Sequence, residues 1–229
     1  MKDLFLASYL PVQAGTYFNR VLLVSQLAEV TTDGVPELRD EMFGQLQKVG
    51  KNYIQNIQYA NHLYTNWGLP PLTLPKYPND YFLWCSAFVR HLKEIIEPDD
   101  PETWIHNYGY NLGDLSTSCW VLQTILTIRK KTNGAFDYAE QIANSIEDIA
   151  GIKFRFGAPA MLLTKHDDAT YRFMWEHWQT LDGLLQDLID CNLKEEDFDI
   201  DNALLCTNLL ISKTGAIMQD VNSKLQETD

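Results

Sequence analysis

Four basic residues, Lys153, Arg155, Lys165 and Arg172, fall within residues 151–172 of a chain that is otherwise strongly acidic. Set against Asp167 and Asp168 they leave that stretch with a net charge of +2, whereas the whole 229-residue chain carries −13. Residues 182–201, by contrast, hold eight acids and one lysine. Aromatic side chains are interleaved with the cations at Phe154, Phe156, Tyr171, Phe173, Trp175 and Trp178. Cations attract phosphate and aromatic faces stack bases, so the mixture suits an anionic, planar ligand. Lys153, Arg155, Phe156 and His166 are the candidate ligand- or anion-binding residues. The same composition also fits a plainer role, in which the aromatics fill a core and the cations pair with the acidic stretch.

Inside this segment, Arg172-Phe173-Met174-Trp175-Glu176-His177 sets an arginine and a histidine five residues apart. In that spacing the sequence resembles the HEPN family, small helical-bundle proteins many of which are metal-independent ribonucleases using such a pair near the start of a helix. The resemblance implies Arg172 and His177 as catalytic residues. His177 would act on the attacking 2′-hydroxyl or the leaving oxygen, and Arg172 would stabilise charge on the phosphate. The resemblance covers six residues, and Phe173 stands where the family usually has a small polar residue. On a regular helix a five-residue step turns the two side chains about 140° apart. They meet only through a distortion of the helix or across two subunits.

Other chemistries lack their residues. A di-iron bundle needs Glu-x-x-His on two helices, and no glutamate here has a histidine three positions on. No His-x-x-x-His occurs either, so neither a metal nor a cofactor is expected. Asp197, Asp199 and Asp201 copy the first three positions of a calcium loop, but Asn202 and Asn208 replace its glycine and its bidentate glutamate. They read better as an acidic cap on the helix that follows. His166-Asp167 also occurs in HD-type phosphohydrolases, which resemble this chain in that dipeptide and in helicity alone. There is no nucleophile elbow, phosphate-binding loop or dinucleotide fingerprint. His62, His91 and His106 lie among aromatics on predicted helices and read as core or boundary residues.

The elements that must position these residues are helical throughout. The most extended runs from Pro36 to Trp67, where Val35, Leu38, Met42, Leu46, Val49, Tyr53, Ile57, Ala60, Tyr64 and Trp67 recur in steps of three or four. At about 1.5 Å per residue it would be roughly 48 Å long, a backbone for shorter helices. Residues 1–13 form an arm or short helix interrupted by Pro11, and a helix follows from Ala14 to Val30. Pro70, Pro71, Pro75 and Pro78 make a stiff connection before a helix from Asn79 to Glu97. Pro101 starts a helix that ends in Lys130-Lys131, and its Gly109, Gly113 and Ser116 form a small-residue stripe suited to a close helix crossing. A fifth helix spans Asp137 to Ala150. Gly151 to Asp167 reads as a break because Lys153-Phe154-Arg155-Phe156 alternates. Helices from Asp168 to Asn192 and from Asp201 to Gln226 complete the chain.

The expected fold is all-α, a mostly antiparallel bundle of about seven helices built on one long central helix, with residues 1–229 as a single domain. A sequence pI near 4.7 argues against general nucleic-acid or anionic-membrane binding, since either surface would repel most of the protein. Cys85, Cys119, Cys191 and Cys206 form no Cys-x-x-Cys pair and read as buried reduced thiols. The residues following Met1 make a poor signal peptide and no run reaches the length of a membrane span, so a cytoplasmic protein is expected. The leading functional expectation is a non-enzymatic helical bundle that works through a protein partner or self-association. One alternative is an HEPN-like ribonuclease or toxin-related protein using Arg172 and His177, with nucleic acid as partner. Another is a small-molecule binder with a pocket beside Gly109 and Gly113.

Overall fold

The computed structural model describes residues 5–15, 54–55, 57–66, 101–131, 139–163, 169–195 and 197–228. Among these residues the chain is helical except in the connection at 190–199, and no strand occurs. The helices are α1 (5–15), α2 (57–66), α3 (Pro101–Lys131), α4 (Ala139–Leu163), α5 (Ala169–Ile189) and α6 (Ile200–Thr228). The all-α architecture follows from heptad-like apolar spacing. On α3 that seam is Ile105, Tyr108, Leu112, Leu115, Cys119, Leu122 and Leu126, all buried. On α5 it is Met174, Trp178, Leu181, Leu185 and Leu188; on α6, Ala203, Leu210, Ile217, Val221 and Leu225. Steps of three and four keep one face inward through many turns.

Four of these helices close into a ring. α3 packs on α4 and α6, and α5 packs on the same two helices. The polar ties fix the senses. Lys130 pairs with Asp201 and Gln123 donates to Asn208 at 2.6 Å, so α6 runs antiparallel to α3. Lys194 meets Glu147 at 2.9 Å while Lys153 meets Gln186 at 2.9 Å, so α4 and α5 are antiparallel as well. Across the diagonal, the buried Tyr108 hydroxyl donates to the Met174 carbonyl at 3.1 Å. Burial pushes that phenol far above its ordinary value, which keeps it a donor.

The helix ends are set by local chemistry. Asp199 caps α6: its Oδ1 accepts from the Asp201 and Asn202 amides at 3.0 and 3.1 Å. Arg129, Lys130 and Lys131 lie in the last turn of α3, against the negative end of its dipole. Past the end of α5 the turns tighten, with the Cys191 and Asn192 amides bonding three residues back, and Asn192 takes the left-handed conformation at φ 51°. Asparagine tolerates that region better than most residues, and it reverses the chain toward α6.

α1 is buried almost all round and lies across the N-terminal half of α3. A Cβ added at Gly109 would stand 2.8 Å from the Phe5 carbonyl oxygen and 3.2 Å from Ser8 Cβ. At Gly113 it would meet Val12 Cβ at 3.0 Å and the Tyr9 carbonyl oxygen at 3.1 Å. At Gly109 and Gly113 the stripe of small residues is therefore a close crossing, and its third member, Ser116, is buried. Ser8 Oγ and His106 Nδ1 share a 2.7 Å hydrogen bond inside it, so His106 is a satisfied core residue. One hydrophobic cluster joins α1, Leu63 of α2 and the four helices of the ring.

One expectation is corrected. Gly151 to Asp167 is not a break: α4 runs through Gly151 to Leu163. Glycine inside a helix costs only about 1 kcal/mol, and Ile142, Ile146, Ile149 and Ile152 carry the buried face past it. The alternation that looked extended puts Phe154 on the solvent side, 81% exposed. Of the expected Pro36 to Trp67 helix, residues 54–55 and 57–66 are described and helical, with Ile57, Ala60, Leu63 and Tyr64 buried. The rest of that helix, residues 16–30, the proline-rich connection and the helix at 79–97 lie outside the described residues. Among the described helices it is α3 that holds the central position.

The crossing gives a paired test by thermal or urea unfolding. Gly109→Ala should destabilise the protein by about 1–3 kcal/mol, because the new methyl meets backbone that cannot swing away. Gly183→Ala, on α5 with nothing within 4 Å of the new methyl, should stabilise it by about 0.5–1 kcal/mol.

Candidate functional site

Lys153, Arg172 and His177 are the candidate residues whose side chains the structure places, and α5 is the element that relates them. Lys153 reaches from α4 to one flank of α5. Its ammonium lies 2.9 Å from Gln186 Oε1 and 3.3 Å from Asp182 Oδ1, and contacts the Asp182 carbonyl at 3.5 Å. That cation is committed to holding α4 against α5. Arg155 and Phe156 lie on the helical backbone of α4, with their side chains outside the described set, and His166 lies outside the described residues altogether.

His177 occupies the opposite flank of α5, facing α6. Its Nε2 stands 3.7 Å from Asp220 Oδ2, and Phe173 packs edge-on against the ring at 4.4 Å and 87°. Nε2 is buried and has no hydrogen-bond partner among the described residues. Burial lowers the pKa of the imidazole below its ordinary 6.5; Asp220 and Glu176 oppose that shift and Lys213 adds to it. Arg172 is exposed on the outward side of α5. Because α5 is continuous from Ala169 to Ile189, the turn of about 140° between positions 172 and 177 is not removed by a break in the helix. One chain does not bring the two together.

The sequence reading missed the partners of both residues. Asp182 and Gln186 on α5, and Asp220 on α6, take these roles because antiparallel packing sets their positions opposite Lys153 and His177. The registry of the helix pairs was the missing signal. The acidic run has a visible structural use as well, since Asp199 caps α6 and Asp201 pairs with Lys130. Among the described residues, no group of three or more His, Cys, Asp or Glu side chains could hold a metal. No described helix is long and apolar enough to cross a membrane.

The depressed histidine has a pH signature. The unfolded chain binds the His177 proton at the ordinary 6.5 while the folded chain resists it, so the unfolded state holds more protons in that window and stability falls as pH drops below 6.5. His177→Gln should remove part of that acid-side slope in urea unfolding followed from pH 7.5 to 5. An identical slope in the two proteins would contradict the placement of the ring.

No protein-family model, no curated protein and no solved structure matches this chain.

Proposed function

We propose that this chain is a protein-interaction or scaffold bundle that binds through the outer face of α6 rather than a stand-alone enzyme. The observation that carries the reading is the ridge of Leu205 and Leu209, one turn apart on α6 and 57% and 47% exposed. Apolar side chains that could have been polar at no cost to the core are better explained by a contact than by folding. Asp201 lies one turn before the ridge, in the first turn of α6, and the chain carries −13 overall. A partner surface with apolar residues framed by basic ones complements that pattern, and a polyanion does not.

The test compares wild type with Leu205→Ser/Leu209→Ser. Light scattering across a concentration series and affinity purification should both respond, with self-association or a specific co-purifying protein lost in the double variant while the melting temperature holds. A wild-type protein that stays monomeric and retains the same companions as the variant contradicts the proposal.

A second reading draws on His177. An imidazole whose buried Nε2 makes no hydrogen bond among the described residues, and whose pKa burial lowers, is suited to act as a general base. Because position 172 faces another side of α5, a ribonuclease site using both residues would require Arg172 from a second copy of the chain. Under that reading Arg172→Ala and His177→Ala each abolish cleavage of single-stranded RNA, and mixing the two inactive variants restores part of it. Cleavage unchanged by either substitution removes the reading.

A further inference from the structure

We propose that Cys191 and Cys206 form a reversible intramolecular disulfide, making the α5 to α6 connection a thiol-oxidation site. The two sulfurs lie 3.9 Å apart across 15 positions of sequence. Cys191 sits in the turn after α5 and is half-exposed; Cys206 is on the second turn of α6 and is buried. The turn itself aims the pair. Left-handed Asn192 reverses the chain just past Cys191, and Asp199 fixes the first turn of α6. The Cys191 thiol also donates to the Asp187 carbonyl at 3.4 Å and accepts from Nδ2 of the Asn202 side chain at 3.5 Å. These contacts hold Sγ beside its neighbour, a gap that side-chain torsions can close to the roughly 2 Å of a disulfide.

The unequal exposure assigns an order. A low-molecular-weight disulfide such as oxidised glutathione is attacked by the Cys191 thiolate, which forms a mixed disulfide and releases one glutathione thiolate. The Cys206 thiolate then attacks Cys191 Sγ, forming the protein S–S bond and expelling the second glutathione. Two protein thiols are oxidised and one small disulfide is reduced to two glutathione thiols, which take up the two protons that the cysteines lose. Burial, the adjoining Cys206 and the carboxylates of Asp199 and Asp187 push the Cys191 thiol up to about 11. The site is consequently a slow responder at neutral pH that reacts faster in alkaline solution. Cys119, fully buried in the α3 seam, is no competitor.

The experiment incubates the full chain with oxidised glutathione at pH 8.5 and follows intact mass and non-reduced peptide maps. Wild type should lose ~2 Da, yield a Cys191–Cys206 peptide and melt several degrees higher, all reversed by dithiothreitol. Cys206→Ser should stop at a glutathione adduct on Cys191, and Cys191→Ser, changed at the half-exposed position, should give neither product at Cys206. A persistent adduct on wild-type Cys191, a bond joining two chains, or no reaction at either thiol overturns the proposal.

Discussion

The arrangement depends on how closely α1 approaches α3. At Gly109 and Gly113 the carbonyl oxygens of Phe5 and Tyr9 lie only 2.8 and 3.1 Å from where a Cβ would stand, and in this close crossing Ser8 meets His106 at 2.7 Å. α3 is thereby enclosed on two sides. Its heptad seam faces the ring of α4, α5 and α6, and its small-residue stripe faces α1. A fully buried Leu or Ile contributes roughly 1.5–3 kcal/mol relative to an exposed one, so a helix with two buried faces contributes far more than a surface helix. The same close fit makes it intolerant of added volume.

Charge sets registry more than stability. Lys130 with Asp201, and Lys194 with Glu147, are exposed pairs at the rim of the bundle, each worth about 1 kcal/mol or less after screening. Their role is geometric, since they select one antiparallel alignment among several that the apolar seams would accept. Arg129 adds to this by lying 4.8 Å over the Phe198 ring, tying the end of α3 to the loop before α6. The charge segregation in the sequence is thus used partly within the fold, with Lys153 turned to Asp182 and Gln186 and Lys130 to Asp201.

Much of the architecture could be read from spacing. The start of α3 at Pro101, its end at Lys131, the glycine crossing and the acidic cap on α6 each follow from a local rule that nothing distant overrides. The continuation of α4 through Gly151 could not be read that way. A glycine and an alternating quartet imitate a break, and only the buried isoleucine face on both sides of the glycine, held by tertiary packing, outweighs them. The candidate site was less legible for the same kind of reason. Arg172 and His177 are neighbours in sequence but face different sides of α5, whereas Asp220 and Cys206, distant in sequence, are neighbours of His177 and Cys191 in space. A one-dimensional spacing cannot distinguish these cases until the antiparallel registry is known.

The placement of α3 as the doubly buried axis is the claim on which both the fold and the exposed α6 face rest. Native-state hydrogen exchange of the wild-type chain tests it directly. Amides of residues 105–126 should be the slowest in the protein and exchange only through global unfolding, with α1 amides at 8–15 protected beside them. Exchange at 105–126 as fast as on the outer face of α6 would contradict the account.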